Sequence, residues 1–182
     1  MNSLDEEKKF YERFWALLGN DDLMHVFKRF GPAVFRRSSV LEGFERFIID
    51  HEFCGKTCVE IGTLKGLTAI ILARHFERVV TIDIIDDPDK SDIARMVGVS
   101  NVEFVTARDN TEKAAIIGKM EFDAAYVDGN HTHDTETDFA LVRRGKRVLF
   151  HEHWDAQPAV MRLVAGLTGK IETHGKFALW TA

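Results

Sequence analysis

Two dense polar clusters, Asp128-Gly129-Asn130-His131-Thr132-His133-Asp134 and His151-Glu152-His153-Trp154-Asp155, each directly follow a short apolar run. Their carboxylates and amide supply the oxygen donors that hard divalent cations prefer, and their imidazoles take up and release protons near neutral pH. Four histidines in two His-x-His pairs equally suit zinc or iron, and Asp128 and Glu152 equally suit the caps of the helices that follow them. A third concentration of interest is Glu60-Ile61-Gly62-Thr63-Leu64-Lys65-Gly66, in which Gly62 ends an apolar run and Gly66 opens a helical stretch. Lacking Cβ, both glycines let the backbone turn sharply and approach a ligand; a tight strand-to-helix turn with no ligand is the competing explanation. Asp83 ends the next apolar run, twenty-one residues after Gly62. An acid at that place is the usual partner for the two ribose hydroxyls of an adenosine-containing cofactor.

The elements that would position these residues are legible in the periodicity. Apolar runs rich in β-branched residues at Cys58–Ile61, Val79–Ile82, Val102–Val105, Ala124–Val127 and Val148–Phe150 predict buried strands. Stretches of helical character alternate with them, at about 66–76, 90–97, 111–118, 134–143 and 156–166. That alternation implies right-handed crossovers and a mainly parallel sheet with helices on both faces, an α/β Rossmann-like fold. Segments Lys170–Thr173 and Lys176–Trp180, around His174-Gly175, predict a closing antiparallel hairpin. The first fifty residues predict helices instead, with Phe10, Phe14, Leu17 and Leu18, then Leu41, Phe44, Phe47 and Ile48, at helical spacing and Phe30-Gly31-Pro32 as a breaker. A chain of 182 residues fits one domain, divided into a helical extension, 1–55, and a core, 56–182.

A net charge of −5 argues against nucleic acid or an anionic membrane as partner. The basic clusters Arg36-Arg37 and Arg143-Arg144-Gly145-Lys146-Arg147 are expected to be solvated loop charge. The acidic start and the lack of a long apolar stretch point to the cytoplasm, where Cys54 and Cys58 are expected as two buried, reduced thiols. The glycine loop lacks the GxGxxG of nicotinamide sites and the GxxxxGK[ST] of P-loops.

The Glu-x-Gly-x-x-x-Gly pattern of Glu60, Gly62 and Gly66, followed by the strand-terminal Asp83, resembles the cofactor motifs of class I S-adenosylmethionine-dependent methyltransferases. Val127-Asp128-Gly129-Asn130-His131 with Asp138, then Leu149-Phe150-His151-Glu152-His153-Trp154 and Gln157-Pro158-Ala159-Val160, resemble the group of small-molecule O-methyltransferases and cephalosporin-hydroxylase-like proteins, with Asn130 and Glu152 replacing that group's usual aspartates. The resemblance implies that Gly62, Thr63 and Gly66 line the methionine part of S-adenosylmethionine, that Glu60 orients the loop from beneath and that Asp83 binds the ribose. Asp109 and Asn110 fall where this fold contacts the adenine, with the cap of the next helix as a second role for Asp109. It also brings both polar clusters to one cleft, where Asp128 meets cofactor and acceptor, His131 serves as base, and Asp128, Asn130, His151 and Glu152 hold Mg²⁺. His133 and His153 then face away, because alternate residues of an extended segment point to opposite sides. The Asn/Asp-Pro-Pro-aromatic motif of nucleic-acid N-methyltransferases is absent, so the implied acceptor is a small molecule. The aromatic residues Phe10, Tyr11, Phe14, Trp15, Phe27, Phe30 and Phe35 suit a lid, a homodimer interface or core packing alike. A zinc or iron enzyme, or a cofactor-binding protein without catalysis, remains the alternative on the same fold.

Overall fold

A computed structural model describes Arg29 and residues 43–130, 134–153 and 157–182. The described elements run α1 (Phe44–Asp50), β1 (Gly55–Ile61), α2 (Leu67–Leu72), β2 (Phe76–Asp83), α3 (Asp89–Met96), β3 (Val102–Thr106), α4 (Asn110–Ile117), β4 (Ala124–Val127), α5 (Thr135–Val142), a 3₁₀ turn (Arg143–Gly145), β5 (Arg147–Phe150), α6 (Pro158–Ala165), β6 (Lys170–His174) and β7 (Phe177–Thr181). The seven strands form one sheet in the order β3-β2-β1-β4-β5-β7-β6. Strands β1 to β5 are parallel, and β7 joins β5 and β6 antiparallel. All five predicted parallel strands and the closing hairpin are present; Phe10, Phe14, Leu17, Leu18, Phe30-Gly31-Pro32 and Leu41 lie outside the described residues.

The inner strands are buried on both faces, which is why β1, β2, β4 and β5 read as continuous apolar runs, whereas the outer strands β3 and β6 are only partly covered. Successive side chains divide between two cores: Cys58, Val79, Ala124, Tyr126 and Leu149 pack with α1, α2 and α3, while Val59, Val80, Ala125, Val127, Val148 and Phe150 pack with α4, α5 and α6. The last helix of the expected extension belongs to the first core. Phe44 lies against Tyr126 and Phe177, with ring centroids 4.7 and 5.7 Å away, and is fully buried. Helix α2 is shorter than the expected 66–76 because the chain must turn at Ala73–His75 to enter β2.

Two expectations are corrected. Arg144 and Arg147 are not solvated loop charge: Arg144 donates to the Ile117 and Met120 carbonyls behind α4, and Arg147 donates to the carbonyls of His51 and Glu52 after α1. Each guanidinium thereby ties the backbone that follows a helix to the chain around the start of β5. Of the two cysteines only Cys58 is buried, on the inward face of β1; Cys54, in the loop before it, is exposed. Among the described residues no helix is long and apolar enough to cross a membrane.

Candidate functional site

Register places the site. Ile61 pairs with Ile82 on one side and Val127 on the other, and Val127 pairs with Phe150. The residues that follow, Asp83, Gly62, Asp128 and His151, therefore stand side by side at the carboxyl ends of β2, β1, β4 and β5, where open α/β sheets bind ligands. A cleft of about 470 Å³ opens there; Gly62, Thr63, Leu64, Asp83, Asn110, Asp128, Gly129, Asn130, His151 and Glu152 are among its lining residues.

The glycine loop is tied down from three directions. Gly62 has φ +92° and its N–H donates to the Ile82 carbonyl. The Asp83 carboxylate accepts from the Thr63 and Leu64 N–H groups at 2.7 and 2.8 Å and from its own side's Ile85 N–H at 3.0 Å. Lys65 reaches over to Asp87 and Asp89 at 2.7 and 2.9 Å, and the Asp87 carboxylate raises its ammonium pKa. Gly66, also left-handed, packs against Phe104 and does not line the cleft.

Glu60 lies below the loop, fully buried on β1. Thr81 donates its hydroxyl to Glu60 Oε2, so Thr63 donates in turn to Thr81, and a chain of short hydrogen bonds links the buried acid to the loop. Burial raises the Glu60 carboxyl to about 8; hydrogen bonds from Thr68 and Thr81 oppose the rise, and the Asp128 and Asp83 charges add to it. The folded-state pKa lies above the unfolded value, so Glu60 stabilises the fold fully below about pH 4.5 and that stabilisation drains away as pH rises toward 8. The Glu60→Gln variant is expected to lack this slope, gaining on the wild type by a few kcal/mol (on the order of 1.4 kcal/mol per pH unit) between pH 5 and 8. Urea unfolding of both proteins across that range checks it; a constant difference would refute it.

Across the cleft, Asp128 Oδ1 lies 2.7 Å from His151 Nδ1 and Oδ2 accepts the Tyr126 hydroxyl at 2.9 Å. His151 is buried and stacks on Phe177, and its Nε2 is 3.8 Å from Glu152 Oε1. Glu152 has φ +60°, a left-handed conformation unusual outside glycine, which turns its carboxylate back toward the imidazole and toward Lys176 at 4.0 Å. Asn130 donates to Asp134 Oδ2 at 3.2 Å and Asn110 to Asp134 Oδ1 at 3.3 Å, which joins the β4 loop to the start of α4. Asp109 caps that helix, accepting the Glu112 N–H at 2.8 Å, and does not line the cleft. His131, His133 and Trp154 lie outside the described residues. His153 follows the strand end, and burial lowers its pKa.

The donors expected to hold Mg²⁺ do not fit a cation as they are arranged. Asp128 is turned toward Tyr126 and His151, and a carboxylate beside Nδ1 keeps a proton on that ring nitrogen, which cannot then bind a metal. Among the described residues no three His, Cys, Asp or Glu side chains converge as a metal site requires. The cleft does fit a cationic, hydroxyl-bearing small molecule: its lining carries the carboxylates of Asp83, Asp128, Asp134, Asp138 and Glu152 against the ammonium groups of Lys65 and Lys113.

One feature escaped the sequence: Asp138, on α5, is buried at the cleft wall beside Gly129 and paired with the buried Lys113. The spacing of Lys113 and Asp138, on different helices, carries no signal of that pairing.

No protein-family model matches the sequence, and no curated protein matches it either. Solved structures do match the fold. A cofactor-bound protein from MTB superposes with TM-score 0.69 at 20% identity, over 92% of each chain. The O-methyltransferase TomG from Streptomyces achromogenes, solved with S-adenosylmethionine and involved in tomaymycin synthesis, gives 0.66 at 21% identity over 93% of this chain and 94% of its own. An O-methyltransferase from Bacillus cereus, solved with S-adenosylhomocysteine, gives 0.65 at 15% identity over 90% and 91%. The strand order with its reversed β7, the helices on both faces and these superpositions together show that the chain has the Rossmann-like class I methyltransferase fold.

Proposed function

We propose that the protein is a methyltransferase that moves the methyl group of S-adenosylmethionine to a hydroxyl oxygen of a small-molecule acceptor. The observation that carries this reading is the row Asp83, Gly62, Asp128, His151 across four adjacent strand ends, which sets a rigid glycine loop opposite a hydrogen-bonded acid–imidazole pair. The fold of O-methyltransferases supports it. In this reading residues 56–182 form the cofactor-binding core and 1–55 its helical extension, with the acceptor a small molecule because the lining is acidic.

Bound cofactor would supply an activated methyl group, so the protein's tasks are alignment and removal of the acceptor's proton. Gly62, Thr63 and Leu64 offer the backbone surface for the methionine part, kept in shape from below by Glu60. Asn110 flanks the adenine end. Asp83 spends about three of its four lone-pair positions on backbone N–H groups, which leaves about one for a ribose hydroxyl. It therefore acts on the cofactor chiefly through the loop that it shapes.

Calorimetry with S-adenosylmethionine and S-adenosylhomocysteine tests the cofactor, and a screen of phenols, sugars and hydroxylated metabolites with radiolabelled cofactor tests the acceptor class. Binding of neither ligand at millimolar concentration to folded protein would end this reading, and label in nucleic acid would change the acceptor. The Asp83→Ala variant is expected to bind S-adenosylhomocysteine roughly ten- to a hundredfold more weakly, for a loss of about 1–3 kcal/mol.

A further inference from the structure

We propose that His151 is the base that takes the acceptor's hydroxyl proton, with Asp128 as the residue that positions it and no divalent cation in the step. The proposal rests on the methyl-transfer reading above and starts where the cation failed to fit. A carboxylate can only accept, so the 2.7 Å contact between Asp128 Oδ1 and His151 Nδ1 puts the imidazole's proton on Nδ1. The lone pair is then on Nε2. Tyr126 donates to the other Asp128 oxygen, and the imidazole lies flat against Phe177, so both the acid and the ring are held in place by buried partners.

Register supports the same assignment. Tyr126 and Asp128 are two residues apart along β4 and its end, and Leu149 and His151 are two apart along β5, so all four fall on the face that packs against α1, α2 and α3. Gly62 follows β1, the next strand over, so the glycine loop and the imidazole belong to the same cleft. Glu152 Oε1 stands 3.8 Å from Nε2 and is itself 4.0 Å from the Lys176 ammonium. The Asp128 carboxylate, 2.7 Å from Nδ1, favours the imidazolium once it forms.

The step balances with these groups alone. As the hydroxyl oxygen forms its bond to the methyl carbon, the bond from that carbon to sulfur breaks and its electron pair stays on sulfur, which discharges the sulfonium. The hydroxyl proton passes to His151 Nε2. The resulting imidazolium sits against Asp128 and later yields the proton to water.

The test uses the full chain saturated with S-adenosylhomocysteine, in the presence of chelator, with 4-nitrocatechol as a hydroxyl probe whose ionisation is visible by absorbance. The bound probe is expected to ionise at a pH about one unit or more below the free probe, because an imidazolium beside it stabilises the phenolate. His151→Gln and Asp128→Asn should both remove that shift, the second because an amide can donate to Nδ1 and so reverse the tautomer, whereas His174→Gln on the distal hairpin should keep it. Nitrogen-15 chemical shifts of the wild-type protein supply a measurement that needs no variant: they should show His151 protonated at Nδ1 and bare at Nε2 at neutral pH. The opposite tautomer, a shift that survives His151→Gln, a cofactor-loaded protein that leaves the probe unshifted, or a shift lost in chelator and restored by Mg²⁺ would each overturn the proposal. Failure of S-adenosylhomocysteine to bind the wild type would instead remove the methyl-transfer reading, and this proposal with it.

Discussion

Gly62→Ala is expected to cost about 2–5 kcal/mol of stability and to abolish cofactor binding. A Cβ at this position would lie 2.3 Å from the Asp128 carbonyl oxygen, 2.6 Å from its carbon and 2.8 Å from the Gly129 Cα. All three are backbone atoms at the end of β4, so no side chain can swing away to make room. Overpacking of this kind costs about 1–3 kcal/mol, and a φ of +92° costs an alanine roughly a further 1–2 kcal/mol. Relief can come only by moving the glycine loop off β4, which separates Thr63 and Leu64 from Asp83 and widens the cleft where the cofactor would be gripped. Gly98 provides the control, since its φ is +72° and nothing lies within 4 Å of a Cβ there. Gly98→Ala thus measures the conformational penalty alone, and Gly66→Ala, which meets the movable ring of Phe104 at 2.9 Å, should fall between the two. Thermal unfolding of the three variants, with calorimetry for S-adenosylhomocysteine, checks the order. A Gly62→Ala protein that unfolds no more readily than Gly98→Ala would show that the clash with β4 costs nothing.

The contrast among those glycines shows what a sequence of this kind discloses and what it hides. The strands were legible because burial on both faces leaves a run such as Val79-Val80-Thr81-Ile82 no polar alternation, and the turn at Gly62 was legible because a glycine between such a run and a helical stretch has few other uses. That Gly62 meets Asp128 and Gly66 meets a phenyl ring depends on which strands are neighbours, and β1 lies next to β4 only after three crossovers. The same holds for the acids. Asp83 could be singled out by its distance from Gly62, but its bonds to three backbone N–H groups depend on how the loop folds back over β2. Asp128 and His151 could each be placed at a strand end. Their direct contact, which turns an expected cation site into an acid–imidazole pair, is set by the register of β4 on β5 and by the Tyr126 hydroxyl beneath. Local pattern reports burial and chain reversal, whereas pairing of polar groups is decided by packing between elements distant in sequence.

Lys113→Met is expected to destabilise the protein by about 3–5 kcal/mol, the range found when one partner of a buried ion pair is removed. Lys113 projects from α4 and Asp138 from α5, their side chains 8% and 2% exposed, and the Lys113 ammonium donates directly to Asp138 Oδ1. Asp138 Oδ2 also lies 3.3 Å from where a Cβ on Gly129 would stand, so the carboxylate is packed against the β4 loop that bears Asp128. Losing the ammonium leaves an anion with too little solvent to screen it, and the helices and the loop must shift to admit water or a proton. The pair borders the cleft, so entering water moderates the cost and favours the lower part of the range. Asp138→Leu alone strands the ammonium instead and should be of similar size. Combining Lys113→Met with Asp138→Leu removes both charges together, and the double variant should recover at least about 1 kcal/mol relative to the sum of the singles, because the penalty in each single belongs to the group left behind. Urea unfolding of the four proteins in a double-mutant cycle measures that coupling directly. A coupling below about 0.5 kcal/mol, the scatter expected of independent sites, would mean that the two charges are satisfied separately and that α4 and α5 are joined by their apolar contacts alone.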